Sequence, residues 1–87
     1  ENIFGAFQMY PNPASEYLTF QYDLTKNSQV DIELINTNGQ VVKSLYSGQQ
    51  AAGLNVFTSP VNDLPAGVYI YRMRSDIGMK TGKIVIH

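Results

Sequence analysis

The chain has 87 residues, 44% hydrophobic and 15% charged, with a formal net charge of −1 and no cysteine. That length fits one small domain with a thin stability margin, and the composition argues against disorder. Disulfides and thiolate metal sites are excluded, and no apolar run approaches the about 20 residues a membrane helix needs.

No basic-then-apolar export signal opens the sequence, so it reads as the C-terminal piece of a longer protein. Residues 1–6 read as the remnant of a linker and residues 7–87 as the domain. Helical periodicity is almost absent, whereas period-two alternation punctuated by turns runs throughout, the pattern of an all-β domain. A first strand is expected around Phe7 to Tyr10, stopped by Pro11 and Pro13, neither of which can donate to a ladder. Tyr17 to Tyr22 follows, rich in aromatic and β-branched residues. From Gln29 to Asn36, Val30, Ile32 and Leu34 alternate with Asp31 and Glu33, which predicts one buried and one wet face.

Asn38-Gly39 is a strong hairpin signal and predicts a two-residue type I′ turn. That turn sets Ile32 opposite Leu45, Asn36 opposite Val41, and Lys43 opposite Leu34 on the apolar face. Two accommodations of Lys43 are open: its stem snorkels past an edge, or a bulge shifts the register. Leu54 to Ser59 is the next strand. Leu64-Pro65-Ala66-Gly67 reads as a turn, with Pro65 presetting its φ and Gly67 taking a conformation other residues resist. Val68 to Ser75 and Lys80 to His87 complete about seven short strands, spaced for a single Ig-like antiparallel β-sandwich of Greek-key character.

A tight turn at Ile77-Gly78 pairs Asp76 with Met79, Tyr71 with Ile84 and Tyr69 with Ile86. Tyr69, Tyr71, Met73, Ile84 and Ile86 then share the core face, with Gly82 opposite Met73 and Arg72 opposite Lys83. Such facing like charges destabilise unless solvent or an anionic partner relieves them. The terminal apolar strand closes the sandwich, and as an edge it is also a segment that a receptor can capture by strand addition.

Charge is unevenly placed. Residues 1–36 hold five acids against Lys26, whereas residues 68–87 hold Arg72, Arg74, Lys80 and Lys83 against Asp76. Either the two groups neutralise each other across neighbouring strands, or the hairpin offers a basic face to an acidic partner. The slightly acidic total and the lack of any nucleic-acid-binding signature argue against nucleic acid as that partner.

Little in the sequence supports catalysis. The single histidine is His87, the cysteine nucleophile is missing, and no serine has a histidine partner within a motif. Asp31 and Glu33 read more simply as the wet side of a strand than as an acid–base pair. No phosphate loop, zinc spacing or EF-hand loop appears. The expectation is a non-enzyme with no cofactor and no metal.

Taken in order, five elements resemble the C-terminal sorting domain (type A) of the bacterial type IX, or Por, secretion system. They are Tyr10-Pro11-Asn12-Pro13, the strand Tyr17-Leu18-Thr19-Phe20, the strand and turn from Val30 to Gly39, Leu64-Pro65-x-Gly67-x-Tyr69, and Lys80-Thr81-Gly82-Lys83-Ile84-Val85-Ile86. The resemblance covers nearly the whole chain. It implies a non-catalytic signal that directs an exported cargo from the periplasm across the outer membrane to the cell surface or medium. The implied partners are the outer-membrane translocon and shuttle proteins, and a surface sortase that cuts upstream of Phe7, after which the cargo is attached to an anionic lipopolysaccharide or released. Recognition falls on Lys80, Gly82, Lys83, Ile84, Val85 and Ile86, while Pro11, Asn12, Pro13, Gly39, Leu64, Pro65, Gly67 and Tyr69 shape the fold. His87 departs from the short residues on which many members end. The resemblance implies no direct membrane insertion and leaves the oligomeric state open.

The competing readings are an accessory β-sandwich that binds carbohydrate or protein beside a secreted hydrolase, and a passive fibronectin-like spacer. A coplanar exposed row of Tyr17, Tyr22 and Tyr46 would favour carbohydrate; buried tyrosines would count against it.

Overall fold

The computed structural model describes residues 4–76 and 78–87, with side chains from Phe7 onward. Seven strands follow one another: β1 (Phe4–Tyr10), β2 (Tyr17–Leu24), β3 (Ser28–Ile35), β4 (Val41–Gln50), β5 (Gly53–Pro60), β6 (Gly67–Ser75) and β7 (Met79–Ile86). Of the expected linker, residues 1–3 lie outside the described residues and residues 4–6 fall within β1.

The strands form two antiparallel sheets, one ordered β1-β2-β5 and the other β4-β3-β6-β7. The pairings of β2 with β5 and of β3 with β6 join strands distant in sequence, giving the Greek-key character expected of an Ig-like sandwich. Strict alternation builds the core: Leu18, Phe20, Tyr22 and Leu24 from β2 face Val30, Ile32 and Leu34 from β3, all buried. Phe7 stacks on Tyr71 at 5.6 Å between ring centroids, and Phe20 meets the same ring edge-on at 5.6 Å, so one aromatic cluster joins the two sheets. The Tyr22 hydroxyl donates to Gln50 across the layers, and burial pushes its phenol up to about 12.

The β3–β4 hairpin differs from the two-residue expectation. Asn38 has no positive φ; Gly39 alone does, at +86°. Asn36 N donates to Gln40 O at 2.9 Å and Gly39 N to Asn36 O at 3.0 Å, so Thr37, Asn38 and Gly39 form a three-residue loop that closes on a left-handed glycine. The Asn36 side chain decides the geometry, its Oδ1 accepting from both Asn38 N and Gln40 N at 3.0 Å. Consequently Ile35 faces Val41, Ile32 faces Tyr46 rather than Leu45, and bulges flank the one expected pair that survives, Leu34 with Lys43.

Both accommodations of Lys43 operate together. Between its two bulges the side chain runs out past the sheet edge, where Nζ donates to Pro60 O and Asp63 Oδ1, each at 2.8 Å. That hydrogen bond from the ammonium holds the Asp63 carboxyl below its ordinary value. Lys43 therefore ties β4, an edge of one sheet, to the end of β5, an edge of the other.

The Leu64–Tyr69 motif is a tyrosine corner. The Tyr69 hydroxyl donates back to Pro65 O at 2.5 Å, fixing the loop that enters β6, while Leu64 packs against the core.

The β6–β7 register also differs from expectation, by two residues. Ile77 of the expected turn lies outside the described residues; the last pair is Arg74 with Met79, and Ser75 N donates to Gly78 O at 2.8 Å. Tyr69 thus faces Ile84, Tyr71 faces Gly82, and Arg72 faces Thr81 instead of Lys83. A slip of two keeps every side chain on its expected face, so alternation alone does not distinguish the registers. Shape does: Gly82 lies under the Tyr71 ring and not beside Met73, and a Cβ built there falls 2.5 Å from the ring. Gly82→Ala is expected to lower stability by about 1–3 kcal/mol, read from denaturant midpoints. The loss should shrink in a Tyr71→Leu background, where the obstructing ring is gone.

Candidate recognition site

Strand β7 is an edge of the four-stranded sheet, and the expected recognition residues divide along it by parity. Lys80, Gly82, Ile84 and Ile86 face inward, opposite Met73, Tyr71, Tyr69 and Gly67. Ile84 and Ile86 are core residues, 0% and 2% exposed. Lys80 leaves the interior at the open end of the sandwich, with Nζ 4.9 Å from the centre of the Phe7 ring, a cation–π contact between the two sheets. Lys83 and Val85 face outward, opposite Ile70 and Val68; Lys83 is exposed and Val85 half-buried.

The Pro11-Asn12-Pro13 element closes on this strand. Ala14 N donates to Val85 O at 2.9 Å, His87 N donates to Ala14 O at 2.8 Å, and Val85 N donates to Asn12 Oδ1 at 3.1 Å. Ala14 and Ile86 form a parallel bridge, and Ala14 itself is buried. The peptide bonds preceding Pro11 and Pro13 are both cis. Two motifs at opposite ends of the sequence are thus one structural unit, in which Asn12 and Ala14 cover the outer edge of the end of β7. Gly67 of the tyrosine corner pairs with Ile86 in the same place. Sequence spacing carried no sign of this clamp, since an asparagine between two prolines reads only as a turn. Gly39, in its exposed turn, and Lys80, at the far end of β7, stand apart from the clamp.

The basic cluster is largely engaged. Glu33 on β3 accepts from Arg72 Nη2 at 2.7 Å and Nε at 3.2 Å, and from Arg74 Nη2 at 3.4 Å. The expected clash of Arg72 with Lys83 is absent because β6 and β7 pair Arg72 with Thr81 and Lys83 with Ile70, and Arg72 lies beside Glu33 in the pairing of β3 with β6. Asp31 accepts from Ser47 Oγ at 2.6 Å, so both acids of the Asp31–Glu33 pair are engaged by neighbouring side chains. Lys83 alone among the hairpin cations has no ion pair or ring contact among the described residues.

The tyrosines make no sugar-stacking row. Tyr22 is wholly buried, Tyr46 meets Phe57 edge-on at 5.4 Å, and of the three only Tyr17 is exposed. Among the described residues no group of three or more histidine or acidic side chains converges as a metal site would require.

Removing the clamp's side-chain acceptor by Asn12→Ala is expected to cost about 0.5–1.5 kcal/mol in a chemical melt. A loss that small leaves the domain folded and makes the variant usable in functional assays.

Compared with known proteins, residues 8–87 match the family model described as secretion system C-terminal sorting domain. No curated protein matches the chain.

Proposed function

The chain belongs to the secretion system C-terminal sorting domain family, and from that membership we propose that it takes an attached cargo from the periplasm through the outer membrane. The translocon and its shuttle proteins read the β7 hairpin at Lys80, Gly82, Lys83, Ile84, Val85 and Ile86, and a surface sortase then removes the domain. Cleavage upstream of Phe7 that leaves β1 paired falls before Phe4, whose partner is Leu24.

The observation that carries this reading is the family match across residues 8–87, which spans both the Pro11–Pro13 element and the terminal strand. Their union in one clamp supports it, because an address read at β7 is then presented only by a folded domain. Ile84 and Ile86 are core residues as well as proposed contacts, so their inward side chains hold the strand while its outer face and edge meet the partner. The other two readings gain no support: no row of tyrosines forms a sugar platform, and a passive spacer leaves the family match without a purpose.

The test fuses residues 1–87 behind a signal peptide and a fluorescent reporter, in a bacterium with a type IX system and in its translocon-deficient derivative. Reporter at the surface or in the medium of the first strain, and in the periplasm of the second, is the expected result. Periplasmic retention in both contradicts the proposal. Deleting Lys83 to His87 is a poorer control, since it removes Ile84 and Ile86 from the core and confounds folding with sorting.

A further inference from the structure

Only half of the β7 edge is covered. Val85 N and O and His87 N point away from β6, toward Asn12 and Ala14. The β6–β7 register runs without a bulge from Gly67 to Arg74, so the same parity turns the backbone groups of Met79, Thr81 and Lys83 outward. No partner for those outward groups occurs among the described residues. Lys80, Gly82 and Ile84 supply the inward bonds to β6.

We propose that the uncovered half-edge, Met79 to Lys83, is a docking site for an extended polypeptide segment of the export machinery, which adds as a further strand and sets a carboxylate against Lys83. This rests on the sorting reading and specifies its contact. Main-chain bonds to Thr81 and Lys83 anchor the segment, and the clamp at Val85 sets where the added strand must stop. The choice of occupant follows from charge. Arg72 and Arg74 are held by Glu33 and Lys80 by Phe7, leaving Lys83 as the cation at this edge without a partner among the described residues. A second copy of the domain paired here would bring two basic hairpins side by side, which like-charge repulsion opposes. An acidic segment meets no such barrier. Lys83 also ends the row Val41, Ile35, Ile70, Lys83 across the outer face, and Val68 and Val85 lie beside that row. A partner carboxylate at Lys83 therefore has an aliphatic patch next to it, against which the partner's apolar side chains can rest.

Proline substitution tests the bonding directly. Thr81→Pro and Lys83→Pro each remove an outward N–H and spare the inward bonds, so the sheet loses no ladder hydrogen bond. In the reporter fusion, both are expected to reduce exported reporter by about tenfold or more with their melting curves retained, while Thr81→Ala, which keeps the N–H, exports as the parent does. Lys83→Asp, a change at an exposed side chain, is expected to reduce export and Lys83→Arg to preserve it. Should a proline variant fail to fold, the contrast between Asp and Arg at position 83 decides the matter: equal export of the two overturns the proposal. Folded proline variants exported like the parent overturn strand addition while leaving the sorting function standing. Retention of the parent fusion itself overturns both.

Discussion

The three hydrogen bonds that tie Asn12 and Ala14 to Val85 and His87 are the constraint on which this domain's organisation turns. A two-sheet sandwich has four edge strands, and each offers backbone groups to any extended chain nearby. Here the β4/β5 side is closed by Lys43 and by the contact of Tyr46 with Phe57. On the β1/β7 side the clamp covers one end of β7 and Lys80 over Phe7 bridges the sheets at the other, which leaves the edge from Met79 to Lys83 uncovered. Without the clamp, β7 would be held by β6, by its two isoleucines and by Lys80 over Phe7. With it, the last strand is locked to a segment that follows β1, so the two ends of the sequence report on each other.

Packing then decides what the clamp presents. The Tyr71 ring is enclosed by Phe7, Phe20 and the glycine at position 82, and this fit selects one of two registers that alternation treats alike. The chosen register sets Arg72 opposite Thr81 and Lys83 opposite Ile70, while Arg72 meets Glu33 through the pairing of β3 with β6. A steric match in the core thereby fixes where Lys83 stands on the surface. The hairpin keeps one unpaired cation beside an uncovered stretch of edge, in place of two arginines and two lysines crowded together.

Much of the fold was legible in the sequence because its period-two signal is strong. The strands, their core faces and the all-β class follow from alternation, as in Val30 to Leu34 and Tyr69 to Met73. What escaped has identifiable physical causes. Asn38-Gly39 suggested a type I′ turn, but the side chain of Asn36 caps a longer loop, a local hydrogen bond that dipeptide statistics do not contain. Ile77-Gly78 suggested a tight turn, but the fit of Tyr71 to Gly82 on the neighbouring strand favours a register two residues away. Lys43 looked misplaced on an apolar face because its partners, Pro60 and Asp63, are distant in sequence. The motif residues could be picked out as a set, whereas the contact of Asn12 and Ala14 with Val85 is a tertiary fact that spacing alone does not encode.

Amide hydrogen exchange of the isolated domain, resolved at Thr81, Lys83, Val85 and His87, measures whether the clamp is closed on β7. All four N–H groups point away from β6, so they differ only in whether the clamp covers them. Val85 and His87 are expected to exchange at least about tenfold more slowly than Thr81 and Lys83 under conditions where the domain stays folded. Equal, fast exchange at all four would mean that the clamp does not close on β7 and that the last strand is held without it.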